Sequence, residues 1–390
     1  MKGKQVELSK IVTGLVCLIS LVFTLTGAVY AQDTPESQWT VHIIENEARD
    51  QWVDQIAVAG DGTVWVTTRF DGMAYFDGVS WHTLHDVSEA MLPDLFFFGG
   101  FTAAPDGTVW LSDLYVLGRY ADEAWTLYRS PNSLEAYGTY FMENTIQQYD
   151  APVLVTEEAL PLDRVTDLAT DSNGILWVAT SEGVLRFDGQ NWIIYRDELI
   201  STSILALTIA PDNSVWVGGQ RGLSHFDGRQ WTNYPQAKGL LSIYLDMLAV
   251  DAGGNVWGTT NSDVFRFDGE RWDIPSELEE LNVGIVWSLA AGPDGTIWVG
   301  SENGLSHFDG SHWSHYPLDK MLLSASGGVN AEGIMALAVA LDGTVWCGTQ
   351  RGVASFRISD TDFTEANRDR REPITLENVD QIELFSILRS

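Results

Sequence analysis

Residues 171–195 read DSNGILWVATSEGVLRFDGQNWIIY, and variants of this segment recur along the 390-residue chain. Each unit has a Gly-containing turn, a first Trp, a strand ending in or near F-D-G, and in six units a second Trp fifteen or sixteen residues after the first. The first Trp is found at Trp65, Trp110, Trp177, Trp216, Trp257, Trp298 and Trp346. The second is found at Trp81, Trp125, Trp192, Trp231, Trp272 and Trp313. Seven units of about 40 residues with strand-like patterning predict an all-β fold, a seven-bladed β-propeller of four-stranded antiparallel blades.

The fourth unit predicts the order of strands within a blade. Ile204–Ala210 is an apolar run, which is expected of an innermost strand buried on both faces. The second strand contains Trp216, the third ends at Phe226, and the fourth begins at Trp231. Asp227-Gly228 is predicted to form a two-residue hairpin turn between the third and fourth strands.

The seventh unit is incomplete, and this predicts how the ring closes. After Phe356 there is no D-G turn and no second Trp, whereas Trp39 begins a strand-like segment ahead of the first unit. We expect residues 39–44 to supply the fourth strand of blade seven, because closure removes the exposed edges of an open array. An eighth blade would need another repeat, and the sequence contains none.

The two ends of the chain differ from the repeats. Residues 1–31 resemble a signal peptide, with lysines before an apolar segment and a small-residue site that predicts cleavage after Ala31. An uncleaved membrane anchor is the alternative. Residues 32–358 would form the propeller, residues 130–160 an insertion between blades two and three, and residues 359–390 a polar tail with an apolar end. No segment after the signal is apolar enough to span a bilayer, so a secreted or periplasmic location is expected.

Charge and cysteine content exclude some functions. The formal net charge of the whole chain is −32, and cleavage after Ala31 would remove three Lys and one Glu to leave −34. Nucleic acids and anionic membranes prefer a basic surface, so neither is an expected partner. The acidity is typical of a soluble exported protein, although it also suits cationic ligands or diffuse Ca²⁺ binding. Cys347 follows Trp346 in a strand and is expected to be buried rather than reactive.

The units closely resemble the two-component regulator propeller repeat, and Asp171–Tyr195 is the best example. Members of that family form the extracytoplasmic sensor portion of hybrid histidine kinases and also occur as separate exported proteins. The resemblance extends from Trp39 to Phe356 and implies a propeller that senses an extracellular solute. The chain has no kinase segment, so signalling would require a separate membrane protein as partner.

The two sides of the ring should differ in their chemistry. The D-x-G and F-D-G turns share one side, here called the framework face, and their residues barely change between blades. The opposite side, called the variable face, carries the loops between second and third strands and the connections between blades. Trp287 lies outside the repeat register at the start of an inner strand, where it could reach the central channel. The candidate ligand contacts on this face are Arg69, Phe70, Tyr115, Arg221, Asn261, Trp287, Asn303 and Arg351.

Two longer connections also belong to the variable face. Residues 91–98 read MLPDLFFF, which is too apolar for a free loop and suggests a lid or a partner contact. The Tyr-rich insertion of residues 130–160 could cap the channel mouth. Local packing is an equally good explanation for both segments.

Catalysis has little support in the sequence. There is no nucleophile elbow, zinc motif or phosphate loop, and we expect no metal or cofactor. The Asp residues of the D-x-G turns lack the spaced carboxylates of a calcium loop, so a turn role is favoured. The streptogramin lyases, metal-dependent propellers with a similar repeat, are the enzymatic alternative, and a protein–protein scaffold is the structural one. The expected function is non-catalytic binding of a small molecule, a glycan or a membrane signalling protein.

Overall fold

The structure is a computed structural model that describes residues 39–42, 52–68, 72–84, 99–112, 115–130, 157–161, 164–235, 245–260, 264–280, 283–318 and 333–358. The expected signal peptide and the tail of residues 359–390 lie outside these ranges, as does the apolar segment of residues 91–98. Most of the insertion of residues 130–160 lies outside them as well.

The first half of the chain supplies the closing strand and blades one to three. The closing strand is β1, Trp39–His42. Blade one contains β2 (Val53–Val58), β3 (Val64–Thr68), β4 (Gly72–Phe76) and β5 (Trp81–Leu84). Blade two contains β6 (Gly100–Ala103), β7 (Val109–Ser112), β8 (Val116–Ala121), β9 (Ala124–Arg129) and β10 (Glu157–Ala159). Blade three contains β11 (Val165–Thr170), β12 (Leu176–Thr180), β13 (Gly183–Phe187) and β14 (Trp192–Tyr195).

The second half supplies blades four to seven. Blade four contains β15 (Ile204–Ile209), β16 (Val215–Gly219), β17 (Gly222–Phe226) and β18 (Trp231–Pro235). Blade five contains β19 (Leu245–Val250), β20 (Val256–Thr260), β21 (Val264–Phe267) and β22 (Trp272–Asp273), followed by the helical turn α1 (Glu277–Glu280). Blade six contains β23 (Val286–Ala291), β24 (Ile297–Ser301), β25 (Gly304–Phe308) and β26 (Trp313–Pro317). Blade seven contains β27 (Ala336–Val339), β28 (Val345–Thr349) and β29 (Gly352–Phe356).

These strands form seven sheets, and the predicted ring closure is confirmed. Strand β1 pairs antiparallel with β29, and Trp39 lies opposite Phe356. The same pairing of Phe with Trp joins the third and fourth strands in blade four, where Phe226 lies opposite Trp231. Trp39 is therefore the missing second Trp of the seventh unit. The N-terminal segment completes the blade farthest from it in sequence.

The core of the molecule lies between the blades. Seven hydrophobic clusters each join two neighbouring blades, and one of them joins blade seven to blade one through Trp346, Val53 and Val66. The first Trp of a blade packs against the Phe that ends the third strand of the next blade, as Trp177 does against Phe226 with ring centroids 5.5 Å apart. The contact between Trp346 and Phe76, at 5.7 Å, continues this pattern across the closure. The repeated Trp residues of the second strands therefore pack between blades.

The second strand, rather than the innermost one, is the fully buried strand. Every residue of β3, β12, β16, β20, β24 and β28 is buried, whereas β15 alternates between buried and half-buried residues. The expectation that Ile204–Ala210 would be buried on both faces is therefore wrong. An innermost strand borders the central channel, so part of its surface stays in contact with solvent.

The F-D-G turn is longer than the sequence suggested. Because Phe226 pairs with Trp231, the loop contains the four residues 227–230 rather than the two residues Asp227 and Gly228. The Asp227 carboxylate accepts hydrogen bonds from the N–H groups of residues 229 and 230, at 2.8 Å each, and Gly228 has a φ of 91°. The Asp side chain thus replaces the second hairpin hydrogen bond, and Gly supplies the left-handed residue.

Blade two differs from the predicted four strands. Strand β10, at the end of the insertion, lies parallel to β9, so that this sheet has five strands. The insertion therefore returns to cover the outer edge of blade two before blade three begins. An outer edge that is covered in this way is protected from pairing with other chains.

Candidate functional site

The variable face carries the starts of the innermost strands, and the register there is broken in a regular way. In blades one, three, four, five and six, the pairing of the innermost and second strands shifts by one residue near the variable face. The shift leaves one residue without a partner on the second strand, which is a β-bulge. Bulges commonly re-aim a side chain, so the side chain at this position can point away from the face that its strand neighbours share.

The bulge residues form a ring of different side chains at one height of the channel. The bulge residues of the five blades are Asp54, Thr166, Leu205, Asp246 and Trp287. The residue before the bulge is buried in four of these blades, as Val165 and Ile204 show at 0% and 1% exposure. All five bulge residues are at least partly exposed to solvent. The bulge thus turns one side chain per blade from the core toward the channel mouth.

Trp287 belongs to this ring, which corrects its assignment as a residue outside the repeat register. It lies eleven residues before Trp298, and the other four bulge residues precede the first Trp of their own blades by the same distance. Only its chemistry is unusual, because 38% of this large aromatic residue is exposed. A register count from the first Trp would have identified Asp54, Thr166, Leu205 and Asp246, which sequence reasoning missed.

The strand start of blade six is tied to the hairpin that carries Asn303. The N–H of Asn303 donates to the carbonyl of Val283 at 3.2 Å, and the N–H of Glu302 donates to the carbonyl of Ile285 at 2.8 Å. Ile285 is 55% exposed. Backbone hydrogen bonds therefore join the hairpin that carries Asn303 to the segment just before Trp287. The exposed residue Ile285 lies in that segment.

The other described candidates lie in different blades. Tyr115 is half-buried in blade two, Arg221 is exposed in blade four, and Arg351 is half-buried in blade seven. Each lies in or beside the hairpin between the second and third strands, so they surround the ring rather than converge on one point. Arg69, Phe70 and Asn261 lie outside the described residues.

A buried carboxylate connects blades three and four behind the bulge ring. Asp167, the residue after the bulge residue Thr166, accepts hydrogen bonds from the N–H of Leu168 at 2.8 Å and from the N–H of Leu207 at 2.7 Å. Burial raises the pKa of Asp167 to about 7, although both hydrogen bonds act in the opposite direction. The side chain of Asp167 extends from strand β11 to the backbone of strand β15, so it joins two blades.

The histidines have structural partners. His225 stacks on Trp216 with ring centroids 4.1 Å apart, and His307 stacks on Trp298 at 4.2 Å. His307 is buried, whereas His225 is half-buried. His315 contacts the Ser306 hydroxyl at 2.9 Å. Within the described ranges, no group of three or more His, Cys, Asp or Glu side chains could hold a metal ion.

The D-x-G carboxylates act in the turns of the framework face. Each accepts a hydrogen bond from the N–H two residues later, at distances between 2.9 and 3.1 Å. The residues concerned are Asp61, Asp106, Asp212, Asp294 and Asp342. These contacts agree with the predicted turn role.

In the described part of the chain, no helix has the length and hydropathy that a bilayer span requires.

A family comparison identifies the repeat. Residues 159–182 match the model of the two-component regulator propeller. This segment contains the innermost and second strands of blade three, and it overlaps the unit from which the resemblance was inferred. The expected resemblance is confirmed. No curated protein matches the sequence significantly.

Solved structures with a similar fold include two lyases and the extracellular domain of a two-component system. A streptogramin B lyase matches with a TM-score of 0.60 and 13% identity, over 82% of this chain and 98% of the lyase. A virginiamycin B lyase from Staphylococcus aureus matches with a TM-score of 0.59 and 13% identity, over 82% of this chain and 100% of the lyase. The extracellular domain of a hybrid two-component system from B. thetaiotaomicron matches with a TM-score of 0.57 and 14% identity, over 84% of this chain. The match covers 42% of that extracellular domain, so this chain corresponds to less than half of it.

Proposed function

We propose that this protein is an exported recognition module that binds a small molecule, a glycan or a partner protein on its variable face and catalyses no reaction. The bulge ring is the observation that carries the proposal. One backbone position holds Asp, Thr, Leu, Asp and Trp in five blades, although the surrounding strands repeat closely. A structural position would not need such different chemistry, whereas a binding site formed by several blades does.

The framework face supports the same assignment by contrast. Most of its turns repeat one arrangement, in which an Asp carboxylate accepts backbone N–H groups and a Gly has a positive φ, whereas Asp122, Glu123 and Asn213 take the positive φ in blades two and four. A rigid ring with one invariant side and one variable side resembles a scaffold that presents a site.

Export and signalling are inferred from the family comparison together with the N-terminal sequence. The repeat that matches is named for two-component regulators, and the B. thetaiotaomicron domain is extracellular. Residues 1–31 have the pattern of a signal peptide, with cleavage after Ala31. The bound state would be passed to a separate membrane signalling protein.

A ligand screen on purified protein tests the binding face. A panel of oligosaccharides, amines and organic acids is screened by thermal shift, and compounds that bind are titrated by calorimetry. Substitution of Trp287→Ala, Arg221→Ala, Arg351→Ala or Arg69→Ala should weaken binding at least about tenfold when the residue contacts the compound, which corresponds to 1.4 kcal/mol. Arg229→Ala, in a turn of the framework face, is the matched control and should leave binding unchanged.

The opposite result would assign the wrong face. If Arg229→Ala weakens binding while the four variable-face substitutions do not, the proposed surface is incorrect.

A metal-dependent lyase is the second candidate, because the streptogramin B lyase matches over nearly its whole length. The test is incubation of the protein with a streptogramin B cyclic depsipeptide and Mg²⁺, followed by chromatography for a linear product. Turnover that is lost with chelator and restored with Mg²⁺ would establish the lyase and refute the non-catalytic proposal. A purely structural scaffold would show neither turnover nor small-molecule binding.

A further inference from the structure

Blade six exposes two large apolar residues at the channel mouth. The other exposed large apolar residues among those described lie elsewhere on the propeller. Trp287 is 38% exposed and Ile285 is 55% exposed, only two residues apart. The remaining large exposed apolar residues among those described lie in framework-face turns, on the outer strand of blade three or just after the outer strand of blade five: Val79, Leu341, Ile193, Ile194 and Ile274. Among the described residues, an exposed apolar pair beside the start of an innermost strand is therefore found in blade six.

An acidic side chain holds the equivalent position in the neighbouring blade. Asp246 is the bulge residue of blade five, and its strand β19 contacts strand β23 of blade six. Asp246 is exposed, although partial burial raises the pKa of its carboxyl group. Partial desolvation strengthens the interaction of a carboxylate with any cation that reaches it.

Blade three shows where a bulge side chain reaches. The hydroxyl of Thr166 donates a hydrogen bond of 2.9 Å to the carbonyl of Ile204 in blade four, immediately before the bulge residue of that blade. By register, Asp246 corresponds to Thr166, and Val286, immediately before Trp287, corresponds to Ile204. An ionised carboxylate has no proton to donate, so this pair would consist of two acceptors. A donor between them is needed to replace the hydrogen bond that Thr166 makes.

We propose that the channel mouth between blades five and six binds a primary ammonium group attached to an apolar body. The ammonium would donate to the Asp246 carboxylate and to the Val286 carbonyl, which satisfies both acceptors. The face of Trp287 attracts the same cation through its quadrupole, and Ile285 contacts the apolar body. The strongly negative chain, with a formal charge of −32, favours the approach of a cation. This inference rests on the proposed binding function and names the ligand class of its site.

Three matched probes separate charge from shape. The full-length mature protein is titrated by calorimetry with 2-phenylethylammonium, with its neutral analogue 2-phenylethanol and with the anion 3-phenylpropanoate. The ammonium compound should bind at least about tenfold more tightly than the alcohol, and the propanoate should not bind measurably. Equal affinity for the ammonium compound and the alcohol would overturn the proposal.

Asp246→Thr installs the side chain that blade three uses at this position, so the backbone contact is retained without the charge. We expect this variant to lose the preference for the ammonium compound while its melting temperature stays within a few degrees of the parent. Asp273→Asn, on the outer strand of the same blade, removes the same charge far from the channel and should keep the preference. A preference that survives Asp246→Thr would refute the role of Asp246.

Trp287→Leu provides an independent measurement if Asp246→Thr fails to fold. It keeps an apolar residue but removes the aromatic face, so the affinity for the ammonium compound should fall at least fivefold. Unchanged affinity would exclude Trp287 from the site. If a neutral or anionic compound binds instead, and binding depends on Trp287 or the variable-face arginines, the recognition function stands and only the cation assignment fails. If no compound of either panel binds to the variable face, both proposals fail.

Discussion

At the scale of single residues, the first Trp of blades one to six is covered by a flat or cationic side chain, whereas Trp346 of blade seven lies opposite Ser355. The residue opposite it on the third strand is Arg in blades two, three and five, with the guanidinium carbon 5.6–5.9 Å from the ring centroid. It is His225 or His307 in blades four and six, and Tyr75 in blade one, where the rings are 4.1–4.7 Å apart. Such side chains bury the indole face while their polar ends reach the surface, so several polar residues of the repeat have a packing role.

The carboxylate of Asp251 should matter more than those of the D-x-G turns. It is 6% exposed and accepts hydrogen bonds from Asn255 and from Nε1 of Trp257 at 2.8 Å, whereas Asp294 binds only Thr296. We expect Asp251→Ala to lower the free energy of unfolding by about 3 kcal/mol and Asp294→Ala by about 1 kcal/mol, because only the first leaves a buried donor unsatisfied. Urea denaturation measures both values, and equal losses would contradict this explanation.

The titration of Asp167 should make stability depend on pH. Its folded pKa is about 7, above the ordinary value of 3.8, so its contribution is complete below pH 3.8 and is lost as the pH rises through 7. Asp167→Asn removes this titration, so the variant should gain roughly 2–4 kcal/mol relative to the parent between pH 4 and pH 8. Unfolding free energies measured across this range give their slope against pH. A pH-independent destabilisation caused by the amide of Asn does not change that slope. Parallel curves would show that the carboxylate does not titrate there.

At the scale of elements, strand β1 contains a buried histidine at the ring closure. His42 contacts the Ser355 hydroxyl at 2.9 Å and lies 4.7 Å from the ring of Trp346. Burial lowers the pKa of His42 from 6.5 to about 4, so the neutral form is the one that fits the closed ring. Protonation would place a charge among the aromatic residues of blades one and seven.

Acid should therefore loosen β1. Because the folded pKa lies below the unfolded one, stability is complete above pH 6.5 and is lost as the pH falls toward 4, by about 3 kcal/mol in total. His42→Phe should remove this part of the acid sensitivity, and the difference between variant and parent isolates it from other histidines. Thermal unfolding at pH 7 and pH 4.5 provides the measurement. An equal loss of stability in both proteins would exclude His42 as the cause.

At the scale of the whole molecule, the ring depends on contacts between blades that are distant in sequence. Seven clusters join the seven blades in a circle, and the one between blades seven and one contains residues from both ends of the propeller. A circular array has no free end, so damage at one contact should affect the cooperative unfolding of the rest.

Removal of residues 32–45 tests the closure. In the truncated protein, Trp39 no longer packs against Phe356, which is 1% exposed in the intact ring. We therefore expect the melting temperature to fall by at least about 5 °C. Residues 39–45 appended after Phe356 through a copy of the Asp227–Gln230 loop should restore most of the loss, because that loop joins the same Phe–Trp pair in blade four. An unchanged melting curve after truncation would refute the closure, and failure of the graft alone would not.

Much of the architecture was predictable because its signals are local. The spacing of the two Trp residues predicted the blades, and the orphan Trp39 predicted the closure, since each blade needs one Phe–Trp pair between its third and fourth strands. The length of the F-D-G loop was not predictable from Asp and Gly alone, because pairing between Phe226 and Trp231 decides it. Strand β10 was missed because nothing in Glu157–Ala159 repeats.

The sequence by itself determined the number of blades, the order of their strands and which strand closes the ring, because these follow from a repeated pattern of turns and indoles. Only the tertiary structure decided which side chains of the innermost strands are turned toward the channel. The bulge that exposes Asp246 and Trp287 is a shift in pairing between two strands, and such a shift depends on how the strands pack rather than on either sequence. The candidate binding site is therefore a property of the assembled ring.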